Sequence, residues 1–150
     1  MLFYGADDKV TFAGNYVHNV SGRAPKVGGN GAVTMHAVNN FFASIDGHSF
    51  DIGSGAKVVI EGNVYENVKT PFVSSSSTAG GSIYSIAGSG CTAYLGRPCV
   101  ANTHSGSGSF TAYSNTAALS AVNANVYPAV AASGVKALVL ANAGIGKTTK

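Results

Sequence analysis

Three stretches, VTFAGNYVHNV at 10–20, MHAVNNFFASI at 35–45 and VVIEGNVYENV at 58–68, align without a gap. Asn15, Asn40 and Asn63 fall in one column, 25 and then 23 residues apart. The segments between them match as well: GRAPKVG at 22–28 lies over GHSFDIG at 47–53, pairing Gly22 with Gly47, Val27 with Ile52 and Gly28 with Gly53. Each unit is made of short β-type runs parted by Gly and Asn corners, with no helical period between them. A repeat of this length built from short strands predicts an all-β fold, a right-handed parallel β-helix of about three coils. Stacked coils lie ~4.8 Å apart, so equivalent residues form ladders. The Asn column is then expected to occupy tight corners, where Asn tolerates the left-handed backbone and bonds to the next Asn in the stack. Asn102 lies outside the repeat and is expected to be indifferent to truncation. The Leu pattern of a leucine-rich repeat is absent.

Outward from the repeat, the composition agrees. Charged residues are 10% of the 150, against about 25% in an ordinary domain, while apolar residues are 45% and glycine numbers 20. That combination excludes charge-driven disorder and suits a turn-dense β protein. Nine Lys+Arg against six Asp+Glu give a net charge of +3, scattered along the chain, too dilute for a nucleic-acid groove. No apolar run reaches the ~20 residues of a membrane span, and the opening MLFYGADDKV has neither the basic nor the apolar region of a signal peptide. The chain begins inside a coil, which leads to the expectation that it is the C-terminal part of a longer protein.

One domain is expected, with coils over 1–72, a Ser/Gly-rich loop over 73–90 and an irregular, partly helical tail over 91–150. In the Ala-rich tail, Leu119, Val122, Val126 and Val130 fall at helical spacing, interrupted by Pro128. These residues read as one or two short helices closing the C-terminal end of the solenoid, and KALVLA at 136–141 reads as helix or strand.

Within this frame, NVSGRAPKVGGN at 19–30, HAVNNFFASIDGHSFDIGSG at 36–55 and EGNVYENV at 61–68 resemble the fungal-type pectin lyases of the pectate lyase superfamily. The resemblance covers about 4–72 well and resumes at CTAYLGRPC, 91–99. Calcium-dependent pectate lyases typically read R-x-P-x-x-R, whereas Arg23-Ala24-Pro25 is followed by Lys26, Val27 and Gly28, which looks like the pectin lyase version. The family's parallel β-helix agrees with the repeat.

The resemblance implies β-elimination on methyl-esterified polygalacturonate, pectin. A base removes the proton on carbon 5, charge builds on the ester carbonyl, and the oxygen on carbon 4 leaves. Arg23 matches the family's catalytic base and Lys26 a position near the substrate. A guanidinium is normally held charged, so Arg23 as base or as electrostatic stabiliser stays open. On a regular strand residues 23 and 26 face opposite ways, and they converge only if the chain bends at Pro25. His48 sits one coil from Arg23 in the same column, as a candidate substrate-binding residue or a structural histidine.

An esterified substrate is neutral and needs no metal, and the six acidic residues form no calcium loop. No metal and no cofactor are therefore expected. His36 reads as structural, and with His18 and His104 it has no metal-ligand spacing. Cys91 and Cys99 could close a short loop or form a zinc half-site; the resemblance implies the disulfide. Asn19-Val20-Ser21 is an N-glycosylation sequon, meaningful on a eukaryotic secretory route. The resemblance implies a secreted, extracellular monomer whose partner is pectin, with no nucleic acid and no membrane. The related calcium-dependent pectate lyase and a non-catalytic carbohydrate-binding β-helix are the other readings.

Overall fold

The computed structural model describes residues 1–73, 80–123 and 126–147. Its body is a right-handed parallel β-helix of about three turns. The chain enters on β1 (Leu2–Phe3) and winds through β2 (Asp7–Ala13), β3 (Tyr16–Val20) and β4 (Lys26–Val27). The second turn holds β5 (Ala32–Val38) and the long β6 (Phe41–Ile52); the third holds β7 (Lys57–Glu61) and β8 (Val64–Phe72). Two short strands, β9 (Ser82–Tyr84) and β10 (Thr103–Ser105), begin a fourth. One sheet runs β2-β5-β7-β9 and the other β1-β4-β6-β8-β10, with β3 also on β6; every strand pairing is parallel.

The register is the repeat made visible. Val10 pairs with Met35, Met35 with Val58 and Val58 with Ile83, so one inward column threads four turns. Val17, Phe42 and Tyr65 form another, with the Phe42 and Tyr65 rings stacked at 5.0 Å and 6°. Period-2 alternation puts these residues inside, and each fully buried aliphatic or aromatic side chain contributes roughly 1.5–3 kcal/mol. The segment 73–90, expected as a loop, contains β9, which extends the 25-residue offset from Lys57 to Ser82. Residues 74–79 of that expectation lie outside the described residues.

The Asn column is a ladder, with two corrections. Asn15 Nδ2 donates to Asn40 Oδ1 at 2.9 Å and Asn40 Nδ2 to Asn63 Oδ1 at 2.9 Å. Each oxygen also accepts the backbone N–H of the residue bonded to it, at 3.0 and 2.9 Å. The ladder does not stop there: Asn63 Nδ2 and its backbone N–H both reach Asn102 Oδ1 at 3.0 Å. Asn102 is the fourth rung, hidden from the sequence because 39 residues separate it from Asn63, where the other steps are 23 and 25. The left-handed residue of each corner is the one before the rung, Gly14 (φ 66°), Asn39 (φ 53°) and Gly62 (φ 62°). The rung itself thus keeps its side chain aligned with the stack.

The tail carries α1 (Thr92–Leu95), α2 (Thr116–Val122) and α3 (Ala132–Asn142), so KALVLA is helical. Neither longer helix closes the end of the solenoid as expected; both lie on its flanks. Ala118, Leu119 and Val122 of α2 pack with Val59 and Tyr84 on one sheet, while Ala132, Val135 and Val139 of α3 pack with Phe41 and Val64 on the other. The outward positions Val59 and Phe41 are apolar, so these walls need covering, and the Ala-rich helices supply close-fitting cover. Cys91 and Cys99 form a disulfide, closing a loop that contains α1 and Arg97.

Candidate active site

Arg23 lies between β3 and β4, where Gly22 and the cis peptide Ala24–Pro25 turn the chain around a corner of the solenoid. Ala24 N–H bonds the His48 carbonyl at 3.0 Å, and His48 N–H the Gly22 carbonyl at 3.3 Å, so Arg23 and His48 form the parallel bridge that their spacing implied. Gly47 is needed here, since a Cβ on it would run into the Ser21 and Gly22 backbone. Past the turn, Lys26 pairs with Asp51 of β6.

Asp51 is the residue that gathers the site. Its Oδ2 accepts from Arg23 Nε at 3.0 Å and from Lys26 Nζ at 3.0 Å, and His48 Nε2 stands 3.8 Å away. The bend at Pro25 thus brings positions 23 and 26 to one carboxylate oxygen. Burial by itself raises the Asp51 pKa, but the hydrogen bond and charge of Lys26, the bond from Arg23 and the charge of His48 outweigh it. The carboxyl is held below its ordinary value. The Arg23 side chain is 54% exposed, against 20% for Lys26 and 16% for Asp51. Asp51 holds the inner nitrogen of the guanidinium, while its two terminal nitrogens form no hydrogen bond among the described residues. The cluster therefore offers N–H donors and positive charge to solvent from a fixed base. Sequence reading missed Asp51; the 25-residue offset from Lys26 was the signal available.

A second carboxylate centre lies on another wall. Glu61 Oε1 meets His36 Nε2 at 2.7 Å, and Arg97 grips both oxygens, Nη2 on Oε1 at 2.7 Å and Nη1 on Oε2 at 2.9 Å. The Val100 N–H adds a bond to Oε2 at 2.9 Å. Burial pushes the Glu61 pKa up, but His36, Arg97 and Val100 together bring it down to about 2. His36 is structural, as expected: its Nδ1 accepts the Tyr127 N–H at 3.3 Å, and the other side of the ring holds Glu61. The disulfide loop delivers Arg97 to this place.

Asn19 is exposed and left-handed (φ 53°), followed by exposed Ser21. No helix among the described residues is long and apolar enough to cross a membrane.

The site is thus a cationic cluster anchored on one outer corner of a parallel β-helix. The pectate lyase family model matches residues 4–148, and the chain belongs to that family. It is 42% identical over 152 residues to the probable pectin lyase F of Aspergillus flavus, covering 98% of this chain and 34% of that protein. Pectin lyase A of Aspergillus niger is 42% identical over 142 residues, 95% of this chain and 37% of its own. The probable pectin lyase D of Emericella nidulans is 43% identical over 146 residues, with 95% and 38% covered. The chain spans little more than a third of the length of these curated relatives.

Proposed function

We propose that residues 1–150 are the C-terminal portion of a single β-helix domain and that the whole protein is a pectin lyase. It cleaves methyl-esterified polygalacturonate by β-elimination and works as a secreted, extracellular monomer. The observation that carries this reading is the Asp51 centre, which fixes Arg23 and Lys26 3.0 Å from one oxygen and leaves the outer guanidinium nitrogens open. Elimination needs a group that handles the carbon-5 proton and positive charge beside the developing enolate. In this reading Arg23 is the catalytic residue at carbon 5, and Lys26 stabilises the charge on the ester carbonyl. The carbon-5 proton leaves, the electrons of its bond form the carbon 4–carbon 5 double bond, and the carbon-4 oxygen departs with its sugar chain and takes up a proton. Arg23 acts either as a neutral guanidine that accepts the carbon-5 proton or, charged on Asp51, as the electrostatic stabiliser. His48, part of the floor of the same cluster, binds substrate. A glycan on Asn19 fits a secreted protein, since the sequon is exposed.

The test is product formation from highly esterified pectin with chelator present, using this chain joined to the N-terminal coils of a full-length relative. Ultraviolet absorbance of the unsaturated product should rise. Arg23→Lys keeps one charge but loses the planar fork, and turnover should fall at least ~100-fold with binding nearly unchanged. Full turnover by Arg23→Lys would remove Arg23 from the chemistry. An absolute need for calcium would replace this reading with the pectate lyase one, and pectin binding without product would leave a binding module.

A further inference from the structure

The column that joins Arg23 to His48 continues one coil further, because His48 pairs with Thr70 of β8. Beyond Thr70 lies a cavity of about 360 Å³ lined by Lys69, Thr70, Ser109 and Thr111 over a floor of Pro71 and Phe72. Its far wall, the segment after β10, is fixed in place. Ser107 Oγ accepts the Val68 N–H at 2.9 Å, and Gly108 N–H bonds the Val68 carbonyl at 3.0 Å. Gly108 lies so close that a Cβ would meet the Lys69 carbonyl. The groove is therefore part of the folded wall, lined by three hydroxyl-bearing residues and one lysine.

That cation differs from its neighbours. Arg23 and Lys26 are both committed to Asp51, whereas Lys69 enters no ion pair among the described residues. Thr70 is two rungs from Arg23, ~10 Å at the coil spacing, and a sugar ring is of a size with one rung. A polymer lying across Arg23 and running along the column would thus place a sugar about two units away in this groove. Hydroxyls suit any sugar; an unpaired ammonium suits one that carries a negative charge.

We infer that this groove is a subsite for a uronate sugar with a free carboxylate, held by Lys69. The inference rests on the polyuronide reading above and refines it: the sugar at the reacting centre is esterified, while the one at this offset is not. Lys69 is then a specificity-determining residue that selects the pattern of esterification and takes no part in bond breaking.

The test reads binding alone, on the joined protein of the assay above carrying Arg23→Lys, so that the ligand is not consumed. Backbone amide signals are followed by nuclear magnetic resonance during titration with trigalacturonate and, separately, with its fully methyl-esterified form. Trigalacturonate should shift the amides of Thr70, Gly108, Ser109 and Thr111 and bind at least ~5-fold more tightly than the ester. Lys69→Gln should abolish that preference without weakening the ester, and Lys69→Arg should keep it. Equal affinity for the two ligands, equal loss of both in Lys69→Gln, or no shift at these amides would overturn the subsite. Failure of elimination in the assay above, with this preference intact, would remove the lyase reading and leave the subsite standing.

Discussion

Asp51 and Glu61 are both carboxylates that collect an arginine and a histidine, and they end in opposite roles. Glu61 is 1% exposed, both its oxygens are taken, and its partners come from the coil and the tail. Asp51 uses one oxygen for two cations, and the arginine that it holds is more than half in solvent. The same charge chemistry is a clamp where it is closed and a platform where it is open. A buried carboxylate must have every lone pair answered, which leaves nothing to offer a ligand. A carboxylate at a corner can hold the stem of a side chain and leave its tip free.

Three measurements can break or sharpen that contrast. The largest effect belongs to Arg97→Ala, which leaves the Glu61 carboxylate buried and short of two of its four hydrogen bonds among the described residues. Chemical denaturation should show a loss of about 3–5 kcal/mol, and a loss below about 1 kcal/mol would mean that the centre is not closed. Acid comes next. The folded pKa of Glu61 lies near 2 against an ordinary 4.5, so its contribution is complete above about pH 5 and is lost as pH falls toward 2. The drop should be on the order of 3 kcal/mol from a shift of this size, and Glu61→Gln should flatten it. Smallest is Asp51→Asn, which keeps the shape and removes the charge from a partly solvated cluster. Its stability should change by no more than about 1 kcal/mol, while product formation falls because Arg23 and Lys26 lose their common anchor. A fall in stability as large as that of Arg97→Ala would erase the distinction between clamp and platform.

How much of this was legible in the sequence follows from what repeats. The coils announce themselves because Asn15, Asn40 and Asn63 recur at nearly constant spacing, and the same offset set His48 beside Arg23. Asn102 escaped because the fourth turn carries the disulfide loop, which stretches the step to 39 residues while the spatial rung stays the same. Glu61 and Arg97 escaped for a related reason: a contact between a coil and a tail has no period. The tail helices could be read as helices, but their resting places depend on which outward positions are apolar, Val59 and Phe41 among them, and that requires knowing the register first. Asp51 was within reach, since it lies one repeat from Lys26.

The asparagine column has a direction. Every rung after the first accepts through Oδ1 from the rung before, and Asn15, Asn40 and Asn63 each donate through Nδ2 to the next. The amide dipoles therefore add along the axis, and successive bonds polarise one another. Aspartate in a middle rung would still accept, but it could not pass the pattern on, since it has no N–H to give. A coil presented upside down would set donor against donor. The column thus works as a polarity key: it admits a neighbouring turn in one orientation and turns away the same turn reversed.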